Sequence, residues 1–374
     1  MVSYARKILV VGGGIAGLAL AVTLRDRGIE TDLIEIKKEW TVYGVGIIQQ
    51  SNVVRAMAQL GLLDHYLASS FSFEKACIYD LAGNLQAVVQ GKRLAGPQYP
   101  ANLGISRLAL HEILTGAARS KGTEVRLGVT VESLEQDADR VYAKFTDGSE
   151  GVYDLVVGAD GIFSKTRALI FPEAPEPRFT GQAVWRYNFP RPAEIDHLAA
   201  FNGPEGSAGL VPLSNEIMYM YVTSVEPGNP RMPADQLHLL MRDRIKQFGG
   251  WIGKLRPQIT DPAKVVYKPM ETLMMPAPWF RGRVVLIGDA AHSTTPHLGQ
   301  GAGIAIEDAL VLGQELDSGD PIEIGLQRFM KRRYERCKYV VETSLQLGEW
   351  QMQGIAVDNG KIVNEMLEVT SQPI

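Results

Sequence analysis

The chain has 374 residues, 45% of them apolar and 21% charged, with a net charge of −4. That length fits one large domain or two closely packed ones. The charge argues against nucleic acid as a partner, which needs clustered Lys and Arg. No apolar run reaches the roughly 18 residues that span a bilayer, and two cysteines, Cys77 and Cys337, are too few and too isolated for a disulfide framework or a metal site. With no signal peptide visible, a cytoplasmic setting is expected.

Residues 7–11 read as a buried strand, followed by Gly12-Gly13-Gly14-Ile15-Ala16-Gly17, which fits G-x-G-x-x-G. A helix over 18–27 ends at Gly28, and a second strand over 31–34 runs into Glu35. This is a dinucleotide-binding strand–helix–strand unit in full context. Gly12 makes the tight turn, Gly14 admits a pyrophosphate to the helix N-terminus, Gly17 allows close helix–strand packing, and Glu35 is placed to accept from a ribose. The unit does not by itself separate FAD from NAD.

Residues 39–50 form a loop with two glycines that leads into a helix over 52–60. The strand–helix rhythm fails over 76–100, an excursion out of the first domain. Arg107 then opens a helix, where a cation gains nothing from the helix dipole, so it reads either as a ligand contact or as a surface arginine. Two strand-like stretches, 123–131 and 140–147, precede a buried strand over 154–157 that delivers Asp160-Gly161, an acid at a strand's carboxyl end where doubly wound sheets bind ligands. From about 178 to 270 the pattern is strand-rich and mostly antiparallel, with one helix near 234–248. There Met218, Met220 and Val222 are expected on one face, and Tyr219, Tyr221 and Thr223 on the other.

A third short strand, 284–287, leads into Gly288-Asp289-Ala290-Ala291-His292 and then Pro296-His297-Leu298-Gly299-Gln300-Gly301-Ala302-Gly303, a glycine-rich helix N-terminus ready for an anion or an electron-rich ring edge. His292 reads as structural; its spacing from His297 does not place both on one helical face for a metal. Residues 322–347 alternate apolar and basic positions, including Lys331, Arg332, Arg333 and Arg336, and a solvated helix face is the preferred reading. The tail beyond Asn359 is expected to order only through contacts, those between subunits included, so monomer and homodimer both stay open.

The three motifs in this order resemble the group A flavoprotein monooxygenases, the p-hydroxybenzoate hydroxylase-like FAD-dependent aromatic hydroxylases, nearest the salicylate- and urate-hydroxylase-like single-component members. The resemblance covers about residues 5 to 350. It implies an α/β fold: a Rossmann-like FAD-binding domain (1–75, 101–178 and 271–325), an inserted, mostly antiparallel β substrate domain (76–100 and 179–270) and a C-terminal helical segment (326–374). It further implies FAD held by Gly12, Gly14, Ala16, Gly17 and Glu35, with Arg107 on the flavin side, Val131 flanking the adenine and Asp160 touching FAD and NAD(P)H. Asp289 would hold the pyrophosphate–ribityl region, and the backbone of Gly299, Gln300, Gly301, Ala302 and Gly303 the isoalloxazine edge.

The reaction implied is hydroxylation of a small aromatic or heteroaromatic substrate by O2 and transiently docked NAD(P)H, through a flavin C4a-hydroperoxide. Pro296, His297 and Tyr219 are the catalytic candidates, with His297 either a base toward a phenol or a loop histidine. Gln49, Arg186, Tyr219 and His297 are the substrate-binding candidates, beside Gln50 and Tyr187. Arg186 is either a carboxylate anchor or a surface charge. Urate-hydroxylase-like members carry an arginine before the strand at Leu210; Ser207-Ala208-Gly209 stands here instead, which disfavours urate. The tryptophan pair of flavin-dependent halogenases and the Cys-x-x-Cys of disulfide reductases are missing from the sequence. A flavin reductase, dehydrogenase or binding protein without oxygenase activity is the alternative.

Overall fold

Lys7–Val11 is flanked on both sides by parallel strands, Leu155–Gly158 and Glu30–Glu35. Ile8 to Val11 are buried in a core shared with the helix Ile15–Arg25 and with Val141, Ala143 and Phe145 of a three-stranded antiparallel sheet. The structure, a computed structural model, describes residues 5–40, 45–203 and 206–374; residues 41–44 of the expected first-domain loop lie outside the described residues. The sheet has six strands in the order Phe280–Arg281, Val284–Leu286, Leu155–Gly158, Lys7–Val11, Glu30–Glu35, Glu124–Leu127. Only the outermost pair, Phe280–Arg281 with Val284–Leu286, is antiparallel.

A seven-stranded sheet forms the second layer. Its order is Val266–Thr272, Arg178–Pro190, Ile217–Val225, Gly206–Pro212, Leu198–Gly203, Lys75–Tyr79, Leu85–Gln90. The strands from the 76–100 excursion thus extend this sheet, and Lys75–Tyr79 pairs parallel with Leu198–Gly203 while every other pairing is antiparallel. Met218, Met220 and Val222 face a core shared with Trp185 and Phe201, and Tyr219, Tyr221 and Thr223 face the opposite side. The expected helix near 234–248 is a short 3-10 turn followed by Leu237–Arg244, and a further helix, Gly250–Leu255, closes the same core.

A small sheet of Gly46–Gln49, Asn102–Ser106 and Ser70–Phe73 braces the two layers. Its contacts are backbone-close. A Cβ on Gly104 would lie 1.9 Å from the Pro212 carbonyl oxygen, and one on Gly46 would lie 2.2 Å from the Tyr219 ring.

The long helix Ile322–Met352 differs from the expected solvated face. Arg333 and Arg336 are buried, because the two acids early in the Gly301–Leu316 helix, Glu307 and Asp308, are themselves fully buried and need counter-charges. Arg333 bonds Asp308 Oδ1 through Nε (2.8 Å) and Glu307 Oε2 through Nη1 (2.9 Å), and Arg336 holds Glu307 through two nitrogens. Asp308 Oδ2 accepts from Gly288 N–H (3.0 Å) and meets His292 Nε2 at 2.5 Å. Burial alone would push the Asp308 carboxyl up, but the charges of His292 and Arg333 hold it down at about 2.

The tail forms the helix Asn359–Ser371 and docks within its own chain. Arg336 and Arg55 cap its last carbonyls, those of Val369, Thr370 and Ser371. None of the described helices is long and apolar enough to cross a membrane.

Removing Arg333 leaves two buried carboxylates short of a partner, a loss on the order of 3–5 kcal/mol. Arg333→Leu should therefore lower the thermal melting point of the FAD-loaded protein sharply. Because the Asp308 pKa is depressed, its stabilisation is present above the usual carboxylate pKa and lost as pH falls toward about 2. An unchanged melting point in Arg333→Leu at neutral pH would refute the network's role.

Candidate active site

The Gly12–Gly17 turn lies at the carboxyl end of the first strand, against the loop after Leu155–Gly158. Gly12 adopts φ +109°, and a Cβ there would lie 2.4 Å from the Ala159 carbonyl oxygen. A Cβ on Gly17 would lie 2.0 Å from the Gly12 carbonyl oxygen, so both positions require glycine for close backbone approach. Gly14 differs: a Cβ there meets nothing within 4 Å and would project into open space. It is the N-cap of Ile15–Arg25, whose first N–H groups have no partner within the helix. Glu35 accepts from Gly13 N–H (2.9 Å) and Lys37 N–H (3.0 Å), holding its carboxylate beside this turn.

Gly288 (φ +58°) brings the second glycine loop against the first, since a Cβ on it would lie 2.9 Å from Ala16 Cβ. Asp289 then opens a single helical turn, Asp289–His292, and its carboxyl faces a cavity of about 640 Å³. Burial raises the Asp289 pKa, with His292 and Arg107 acting against that shift. Gly299, Gly301 and Ala302 line the same cavity at the start of the Gly301–Leu316 helix, as do Gly14 and Ala16. Open glycine backbone at two helix N-termini, with an acid between them, fits the pyrophosphate, ribityl chain and ring edge of FAD.

Arg107 is the first residue of the Arg107–Ser120 helix, capped by Ser106, and its side chain faces the cavity. Arg186 faces it from the Arg178–Pro190 strand and is no surface charge. Neither guanidinium has an ion pair or side-chain hydrogen bond among the described residues. Burial, then the like charge of Arg107, pushes Arg186 down to about 10, with Tyr219 partly offsetting this. Burial also lowers Arg107 and raises the Tyr219 hydroxyl, which Arg186 and Arg107 pull back down. Both arginines remain cationic at neutral pH.

His297 lies in the short turn Pro296–Leu298 and lines the cavity with Pro296. Its Nδ1 meets Thr295 Oγ1 at 2.9 Å, and Nε2 has no hydrogen-bond partner. Gln351 approaches the ring without forming a well-aligned bond, its oxygen being engaged by Gln182 Nε2 and Thr223 Oγ1. The imidazole packs on Gly348 of the long helix, where a Cβ would lie 2.9 Å from its Cε1. Burial pushes the His297 pKa down to about 4, with Gln351 opposing weakly, so the ring is neutral at physiological pH.

Several of the expected site residues turn their side chains away from the cavity. Gln49 is fully buried and turned into the core, accepting from the Tyr66 hydroxyl and donating to Ile48 O, because strand alternation gives the cavity face to Ile48. Gln50 does line the cavity. The Gln300 side chain is buried against Asn52 and Gln50, and Gly303 packs beneath it, with a Cβ there 2.8 Å from Gln300 Oε1 and from Val53. Asp160 spends its carboxylate on the Ser164 hydroxyl and on Thr166 N–H and Oγ1, leaving Ala159 and Gly161 to line the cavity. Val131 is fully buried in the core of the first layer. Sequence reasoning passed over Gln351 and the cavity-facing Val363, Met366 and Leu367, although the i, i+3, i+4 spacing of the last three marks one helix face.

Two glycine loops at adjoining strand ends, over a parallel sheet capped by an antiparallel one, define a dinucleotide-binding flavoprotein. The comparisons sharpen this. Residues 5–341 match the FAD binding domain family, and the chain belongs to it. It is 32% identical over 356 residues to the 2-heptyl-3-hydroxy-4(1H)-quinolone synthase of Pseudomonas aeruginosa, covering 92% of this chain and 90% of that one. It is 30% identical over 398 residues to the FAD-dependent urate hydroxylase of Klebsiella pneumoniae, covering 98% and 100%. The crystal structure of Klebsiella pneumoniae HpxO with FAD and uric acid superposes with a TM-score of 0.86 at 27% identity, covering 98% of this chain and 97% of the other. The protein is an FAD-dependent monooxygenase.

Gly14→Val should fold, since its side chain has free space, yet purify with little FAD if that space takes the pyrophosphate. Asp289→Ala should likewise lose FAD. Full yellow occupancy in either purified variant would remove that residue from the cofactor site.

Proposed function

We propose that the enzyme uses NAD(P)H and O2 to hydroxylate an aromatic or heteroaromatic small molecule that carries an anionic or strongly electron-rich group, held by Arg186. The observation that carries this reading is the pair of half-buried cations without an ion-pair partner among the described residues, Arg107 and Arg186, with the Tyr219 hydroxyl in the same cavity as the glycine loops. Two guanidiniums that repel each other in a water-poor site are stabilised by an anion between or beside them. Arg107, nearer Asp289 in charge coupling, suits the cofactor side; Arg186 is left for the substrate.

FAD supplies the redox chemistry when bound, accepting hydride and activating O2 for transfer of one oxygen atom to the ring. Around it the chain's own residues bind, orient and exclude water. Pro296, with no N–H to offer, and the small residues Gly301 and Ala302 make a rigid wall. Tyr219, braced on Gly46, and Arg186 orient the substrate on the opposite wall. His297 is the candidate base toward a phenol: its ring is neutral and Nε2 has no hydrogen-bond partner, but that nitrogen is buried against Gly348, so the ring must turn to meet the substrate. The relatives that act on urate and on an alkylated quinolone, by their names, support a heteroaromatic ring. Urate itself is disfavoured, since the Gly206–Pro212 strand carries no arginine and Gly209 lies under the Tyr221 ring.

A screen of phenols, aminobenzoates and hydroxylated heteroarenes should find compounds that stimulate NAD(P)H oxidation with matching hydroxylated product; peroxide alone from every compound would sink the reading. Arg186→Met should raise KM for the anionic substrate at least tenfold with FAD content intact. His297→Ala should keep its flavin but divert turnover to hydrogen peroxide. The wild-type base is available above a pKa of about 4, so coupling should stay flat from neutral pH down to about 5 and fall only below that. Unchanged coupling in His297→Ala would return the residue to a packing role.

A further inference from the structure

We infer that the natural substrate is elongated and amphipathic: a ring seated at Arg186 and Tyr219 bearing an apolar chain that runs across the second sheet to the C-terminal helix. This deepens the function proposed above and rests on it. The cavity is floored by one face of the seven-stranded sheet, and it reaches from the Arg178–Pro190 strand to the edge strand Leu85–Gln90. Side-chain character changes along that floor. Arg186, Tyr219 and Thr223 occupy one end, Leu198, Ala200 and Asn202 the middle, and Ala76, Ile78 and Val89 the other. Four strand spacings, roughly 19 Å, separate the strand of Arg186 from that of Ile78. A single ring leaves most of that distance uncovered.

The far end is walled as well as floored. Val363, Met366 and Leu367 of the Asn359–Ser371 helix face it, together with Leu298 and Leu347, and Asn359 marks the helix's N-terminal end. Ile78, Val89, Leu298, Leu347, Met366 and Leu367 form one apolar cluster, distinct from the cores of the two main sheets. The cofactor cradle lies on the opposite wall, at Gly14, Asp289 and Gly301, so the sheet floor is left to the substrate. These side chains are largely packed on one another and show only their edges to the cavity, and such an apolar lining favours an apolar occupant over water. The tail helix that supplies one wall is fastened at its C-terminal end by Arg336 and Arg55, which keeps the wall in place.

The test is a binding series on the FAD-loaded enzyme. Hydroxylated arenes and heteroarenes bearing linear alkyl chains of increasing length are titrated, and Kd is read from the perturbation of the flavin absorbance. Kd should fall about fourfold for each methylene that is buried. Ala76→Phe and Val363→Phe, each filling the apolar end, should flatten the series at wild-type FAD content and melting temperature. Equal Kd values along the series, or a slope unchanged in both variants, would overturn the inference. The binding readout needs no turnover. A steep series without hydroxylated product counts against the proposed function alone, and hydroxylated product with a flat series counts against the elongated substrate alone.

Discussion

A single buried carboxylate ties together most of what makes the site. Asp308 receives the Gly288 N–H, meets the His292 imidazole and pairs with Arg333, so one side chain joins the turn that presents Asp289, the helix that starts at Gly301, and the long helix Ile322–Met352. Burying such a charge is costly unless every lone pair is matched, and here each oxygen has a partner. Burial opposes a charge on His292 in return, but the Cys337 sulfur and the Asp308 carboxylate outweigh it and raise its pKa well above the usual value. Glu307, one residue earlier, extends the same knot through Arg336 to the last turn of the tail helix. The turn at Gly288–Asp289 and the far wall of the cavity are therefore linked through a chain of ionic contacts.

The cavity reverses that logic. In the knot, acids and bases are matched; in the cavity, Arg107, Arg186 and the Asp289 carboxyl are left open to whatever enters. Desolvation without a partner depresses both arginines and raises the acid, which is the electrostatic signature of a site completed by its ligands. The difference between the two regions lies in their partners rather than in residue type.

Much of this was legible in the residues. The G-x-G-x-x-G turn, the Asp160-Gly161 and Gly288-Asp289 motifs and the alternation over 217–223 each follow from local pattern, and all stand where a strand end or a sheet face requires. What was not legible depended on distance in the chain. Arg333 and Arg336 look like a solvated face because their counter-charges lie more than twenty residues upstream, on another helix. Gln49 and Gln50 are adjacent and chemically identical, and only strand register decides which one sees the cavity. Asp160 sits at the expected strand end, yet Ser164 and Thr166 of the next turn satisfy it first. The tail helix wears its apolar stripe openly, but the stripe alone could not say that it faces the cavity.

The strand order carries a further consequence, for the timing of synthesis. Lys7–Val11, the first of the described strands to be made, gains its second neighbour only when Leu155–Gly158 emerges, and the position beyond that is filled by Val284–Leu286. In the other sheet, Lys75–Tyr79 waits for Leu198–Gly203, more than a hundred residues later. Neither sheet closes while the first half of the chain stands alone, so the nascent protein exposes unpaired, apolar strand edges for most of its translation. Asp289 and the Gly301 helix arrive near the end, which makes the cofactor a ligand of the finished chain. Flavin supply can then act on the yield of folded enzyme as well as on its activity, by capturing the native state once the last strands are in place.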